Sequence, residues 1–148
     1  MYFKTAIRYQ QENELGKLKT FNDTYLFDAV SFSEVENKIA RKQLDGEFPK
    51  NVTIKTISPF EAGEIVFHPE PETDDLKWYR LKYYYMDAVE GSSPKRTIGY
   101  MMIQAQSSKS ALWDAATAFS KWLITVYVDT LTETKLVSIF PHRSEDND

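Results

Sequence analysis

Tyr2-Phe3-Lys4-Thr5-Ala6-Ile7-Arg8-Tyr9 and Trp78-Tyr79-Arg80-Leu81-Lys82-Tyr83-Tyr84-Tyr85 are the same pattern written twice, 76 residues apart. The offset recurs downstream, where Leu26-Phe27-Asp28-Ala29-Val30-Ser31 aligns with Met102-Ile103-Gln104-Ala105-Gln106-Ser107. Repetition at a fixed spacing governs architecture, so each copy is read against the other.

Alternating apolar and polar residues from Tyr2 to Tyr9 predict a half-buried strand. The turn-forming Glu12, Asn13, Glu14 and Gly16 precede a second strand over Lys19 to Ala29, which makes a hairpin. Ser31 with Glu34 three residues on is a capping-box signature, and Phe32, Val35 and Ile39 mark one face of a helix running to about Asp45-Gly46. Val52 to Ile57 predicts a third strand, stopped by Pro59. The unit is β-β-α-β and spans residues 1–58.

Residues 59–76 carry Pro59, Pro69 and Pro71 among acids and read as a connector. The second unit, 77–141, repeats the order: a strand from Lys77 to Met86, a turn at Glu90-Gly91-Ser92-Ser93-Pro94, and a strand from Lys95 to Ala105. A longer helix is predicted over Ser108 to Tyr127, with a core face of Ala111, Leu112, Ala115, Phe119, Trp122, Leu123 and Val126. Trp113 and Trp122 on this helix read as core or interface residues rather than base-stacking platforms, since helical spacing places Trp122 on the apolar face. Leu136 to Ile139 aligns with Ile54 to Ile57 at an offset of 82 and closes the unit. Residues 142–148 form an acidic tail. The expected fold is α+β: a tandem β-β-α-β repeat of mostly antiparallel sheets, with two helices on the buried side, forming one compact domain.

The 148 residues carry a net charge of −4, but the charge is segregated. Residues 61–75 hold six acids and no base, and Ser144 to Asp148 hold three more acids and no base. Without those nine, the total of 22 acids falls to 13 against 18 bases, so the repeated body is basic enough to attract phosphates. With no cysteine there is neither a disulfide nor a thiolate metal site. The N-terminus runs straight into strand alternation with no apolar signal core, and no apolar run approaches the ~20 residues of a spanning helix. The expectation is a cytoplasmic protein that does not engage a membrane.

Alternation puts Trp78, Arg80, Lys82 and Tyr84 on one side of the second copy's first strand, and Tyr2, Lys4, Ala6 and Arg8 on the matching side in copy one. Lys17, Lys19, Lys95 and Arg96 begin each second strand and extend this mixed face. Cations for phosphates and flat rings for bases are what single-stranded nucleic acid requires. Tyr and Trp also favour strands merely because they fit a pleated, partly buried surface, which gives the same residues a purely structural explanation. Catalysis lacks a signature. The two histidines, His68 and His142, fall in no metal-ligand spacing, and there is no phosphate loop, nucleophile elbow or cysteine nucleophile. The expectation is a non-enzymatic single-stranded nucleic-acid-binding protein without metal or cofactor. The alternative is a protein-interaction module without nucleic-acid affinity, either a homodimer built on an exposed sheet edge or a phage factor that engages a host protein; on either reading the acidic tail is a candidate contact for protein partners.

The pattern around Tyr2-Phe3-Lys4, Tyr25 to Glu34, Lys77-Trp78-Tyr79-Arg80 and Thr134-Lys135-Leu136 resembles a family of small proteins of unknown function from Bacteroidetes and their phages, including crAss-like phages. The resemblance covers nearly the whole chain. It implies a bacterial or phage cytoplasmic origin, its phage context slightly favours replication-linked roles, and it supplies no catalytic residues.

Overall fold

The computed structural model describes residues 1–88 and 90–142. In chain order the elements are β1 (Tyr2–Glu12), β2 (Leu18–Asp28), α1 (Phe32–Leu44), β3 (Thr53–Phe60), β4 (Glu64–Val66), β5 (Lys77–Asp87), β6 (Lys95–Ala105), α2 (Ser108–Phe119), β7 (Tyr127–Glu133) and β8 (Leu136–Phe140). The fold is α+β, with two four-stranded sheets ordered β3-β1-β2-β8 and β4-β6-β5-β7. The chain divides into two compact units, one made of Met1–Glu61 with the segment from Leu136 on, the other of Ala62–Lys135.

In the first unit β1 and β2 pair antiparallel from Tyr2↔Asp28 to Glu12↔Leu18. Gly16, at φ 76°, supplies the left-handed turn residue, and Asn13 Oδ1 accepts from the backbone N–H groups of Leu15 and Lys17. The period then changes as read from the sequence. Ser31 Oγ accepts from Glu34 N at 3.2 Å, and Glu34 Oε2 accepts from Val30 N at 3.0 Å, so the carboxylate reaches back to the residue before the cap. Phe3, Ile7, Tyr25 and Phe27 from the sheet enclose Val35 and Ile39 from α1, with Phe48 and Phe140 closing the cluster. Lys38 is also withdrawn from solvent, and its Nζ donates to the Asp28 carbonyl at 2.7 Å, tying the helix to the end of β2.

The second unit repeats this plan with different packing. Val35 and Ile39 correspond to Ala111 and Ala115 on α2, both fully buried. Against the cluster that holds these alanines pack the rings of Tyr83, Phe119 and Trp122, which meet edge-to-face at centroid distances of 5.2, 5.5 and 4.9 Å. Ser107 caps α2 through Ser110 N at 3.2 Å.

Three sequence expectations change. The second helix stops at Phe119 rather than Tyr127, and Tyr127–Glu133 is a strand. The apolar run Trp122 to Val128 continues a helical spacing, but its β-branched Ile124, Thr125 and Val126 favour helix less, and the strand that follows carries Val128, Thr130 and Thr132. Leu112 and Leu123, expected in the core, are exposed. Second, residues 59–76 contain structure: β3 runs through Pro59, tolerated because β3 is a sheet edge, and β4 follows.

Third, the partner of β3 in the repeat is β7, not β8, and the offset is 74 rather than 82. Ala6 pairs with Thr56 and Lys82 with Thr130; one step on, Ile7 pairs with Ile54 and Tyr83 with Val128. Both copies therefore skip one residue at the same place, a β-bulge occupied by Lys55 in copy one and Asp129 in copy two. The last strands correspond as well. β4 runs parallel to β6 (Ile65↔Met102) and β8 parallel to β2 (Leu26↔Ile139). The repeating element is β-β-α-β-β, and each copy's last strand joins the other copy's sheet.

Candidate nucleic-acid interface

Alternation places side chains as expected: Phe3, Thr5 and Ile7, like Tyr79, Leu81 and Tyr83, face the helices, and the mixed set lies on the opposite face. Along β5 that face opens toward the hairpin turn. Trp78 is only 2% exposed and meets Phe67 edge-to-face at 5.3 Å, so its ring offers no surface to a base. Arg80 is half-buried, with its guanidinium 4.1 Å from the Tyr100 ring centroid.

The next two positions form a built surface. Tyr84 stacks on Tyr127 across the β5–β7 pairing, at 5.2 Å between centroids and 22° between planes. On β6, the other neighbour of β5, the Arg96 guanidinium lies 3.7 Å from the Tyr84 centroid. Arg96, Tyr84 and Tyr127 thus make a row across three strands that ends at the sheet edge, where Tyr127 is 49% exposed. Beside the row, Asp129 Oδ2 lies 3.6 Å from Lys82 Nζ and 3.9 Å from an Arg96 guanidinium nitrogen. Lys95, opposite Asp87 in register, is exposed.

Copy one lacks such a row. Tyr2 is half-buried, and its hydroxyl pKa is raised by burial and then by the Asp28 carboxylate opposite it. Lys4 and Arg8 are exposed on the same face, where Arg8 Nε donates to Asn22 Oδ1 at 3.1 Å. Lys17 and Lys19 are exposed at the far end of the hairpin. The stacked rings of this hairpin, Tyr9 and Phe21 at 5.4 Å, lie on the helix-side register instead.

Of the expected residues, the structure therefore brings together Lys82, Tyr84 and Arg96, with Lys95 nearby on β6. Tyr127 and Asp129 complete the group and were missed, because the helical reading of the 122–128 run placed Tyr127 at a helix end. The signal was the β-branched content of Val128, Thr130 and Thr132; simple alternation misleads here, because the bulge at Asp129 puts Tyr127 and Leu131 on opposite faces.

A second surface lies on α2. Trp113, read as a core or interface residue, is not in the core: it is 74% exposed and borders an open groove of ≈ 630 Å³ lined also by His68, Gln106, Lys109, Leu112 and Asp114. Trp122, by contrast, packs against the core. His68 is half-buried, and its Nδ1 lies 3.0 Å from Glu70 N and 3.1 Å from the Glu70 carbonyl oxygen. His142 is exposed, and the rest of the acidic tail, 143–148, lies outside the described residues. Among the described residues no cluster of His, Asp or Glu could hold a metal ion, and no helix is long and apolar enough to cross a membrane.

No curated protein sequence matches the chain. Residues 1–142 match the DUF4494 family, described as a domain of unknown function, and the chain belongs to that family.

Proposed function

We propose that the chain is a non-enzymatic protein that binds single-stranded nucleic acid through the helix-free face of its second unit. The observation that carries the reading is the Arg96–Tyr84–Tyr127 row. A base laid on the exposed Tyr127 ring extends an existing stack, a contact worth ~1–3 kcal/mol. Lys82 and Arg96 supply two positive charges against the single charge of Asp129, which leaves the patch cationic for a phosphate. Rings and charges of this kind do not read base edges, so sequence preference is weak. The resemblance to proteins of Bacteroidetes and their phages fits a replication-linked role in a bacterial or phage-infected cytoplasm.

The test is a titration of labelled oligonucleotides at two salt concentrations, with molecular size measured alongside. Binding that weakens steeply with salt, and is reduced in R96A and Y127A variants that keep the wild-type melting point, is the expected result. Undetectable or salt-insensitive binding overturns it.

A protein-interaction module is the second reading, and Trp113 favours it. A tryptophan 74% exposed beside Leu112, over a groove, is the type of residue that anchors protein interfaces. Trp113→Ala abolishing self-association or partner binding while leaving oligonucleotide affinity intact would separate the two surfaces.

A further inference from the structure

Resting on the nucleic-acid reading, we propose that Asp129 stands in the place of a backbone phosphate and acts as a built-in competitor that sets how tightly the second unit holds a strand. The first support is geometric. One carboxylate oxygen faces two cations from different strands, Lys82 on β5 and Arg96 on β6. One anionic oxygen between a lysine and an arginine is the arrangement a phosphodiester oxygen would adopt there.

The second support is that the bridge is loose. Tight charge-assisted contacts fall at about 2.7–2.9 Å; these stand at 3.6 and 3.9 Å, and the Asp129 side chain is 34% exposed. Ion pairs of this kind, wet and long, contribute little to stability. Asp129 therefore blunts the charge of Lys82 and Arg96 without locking them, and a strand that supplies its own phosphate displaces it at low cost.

The third support comes from the duplication. Asp129 is the extra residue of a bulge, and a bulge re-aims the side chain it carries. Copy one makes the same bulge with Lys55 in that position. The architecture thus forms with either charge, so the bulge itself does not require the carboxylate. The acid occurs in the copy that has the aromatic row, two residues from Tyr127 on the same strand. Copy one has neither the row nor the acid.

The experiment compares oligonucleotide affinity of the full chain, D129N and D129T across a salt series, with melting curves for each. D129T guards against a local folding defect in D129N, because threonine suits a strand. At low salt both variants are expected to bind about five- to tenfold tighter than wild type, with a salt slope steeper by up to about one unit, since Lys82 and Arg96 then hold solution counterions that binding releases. Binding gained only on substitution overturns the proposal together with the nucleic-acid reading, because the wild type then holds no strand for Asp129 to compete with. Wild type that binds, with both folded variants unchanged or weaker, overturns it and leaves the nucleic-acid reading standing. Absence of binding by wild type and variants alike overturns both.

Discussion

Gly63 packs against the backbone carbonyl of Tyr100, so closely that a Cβ at residue 63 would overlap that oxygen. Its φ of 67° lies in the left-handed region as well. This is where the chain enters β4 and lines up beside β6, with Glu64 opposite Met101. Backbone against backbone cannot give way as a side-chain end can. Gly63→Ala is expected to cost more than about 2 kcal/mol, read as a lower denaturation midpoint. A wild-type midpoint would show that β4 reaches β6 without this contact.

Thr5 is fully buried between Phe3 and Ile7, and its Oγ1 has no hydrogen-bond partner among the described residues. The corresponding residue of copy two is Leu81, also fully buried and apolar. Replacing the hydroxyl by a methyl of the same shape removes a desolvation cost. Thr5→Val is expected to stabilise the protein by about 1 kcal/mol in urea unfolding; a loss of stability would mean that the hydroxyl is satisfied.

Tyr9 and Tyr25 both point at Asp23 Oδ2, at 2.8 and 3.4 Å. For Tyr25, burial first and then the Asp23 charge push the phenol well above its ordinary range, and Tyr9 is raised by burial and by its bond to Asp23. A raised phenol keeps its proton in the folded chain when the unfolded chain has lost it. These groups therefore leave stability unchanged below the ordinary tyrosine pKa of about 10 and lower it progressively above that. Melting temperature should fall above about pH 10, and the fall should be shallower in Tyr25→Phe. A titration in which all nine tyrosines ionise together at the ordinary pKa would contradict this.

Ser31 and Ser107 cap their helices through equivalent bonds, each 3.2 Å to the backbone N–H three residues on. Ser31→Ala and Ser107→Ala should each cost ~1 kcal/mol, measured by chemical denaturation. An effect in one variant only would show that the two caps, alike in geometry, differ in energy.

Much of the fold was legible because it depends on local pattern. Period-two alternation separated Phe3, Thr5 and Ile7 from Lys4 and Arg8, and Tyr79, Leu81 and Tyr83 from Arg80 and Lys82, and the structure keeps both divisions. The Ser31 capping box marked the start of α1, and the shared offset of 76 put the start of α2 in register with it. The end of α2 was not legible, since an apolar run of Trp122 to Val128 satisfies a helical stripe and a strand equally. Within the candidate site, Lys82, Tyr84 and Arg96 could be named from alternation, whereas Tyr127 and Asp129 depended on finding β7.

The sequence by itself determined the duplication, the strand-strand-helix opening of each copy, the face each residue of the two first strands occupies and the segregation of acids from bases. These follow from backbone periodicity and capping, which act over a few residues. Tertiary structure alone decided that β4 and β8 join the sheets of the opposite copies, that the bulge falls at Lys55 and Asp129, and that Trp78 is buried while Trp113 is exposed. Those outcomes depend on hydrogen-bond partners and neighbours far apart in the chain. Two tyrosines forty-three residues apart, Tyr84 and Tyr127, become one surface only when β7 takes its place beside β5.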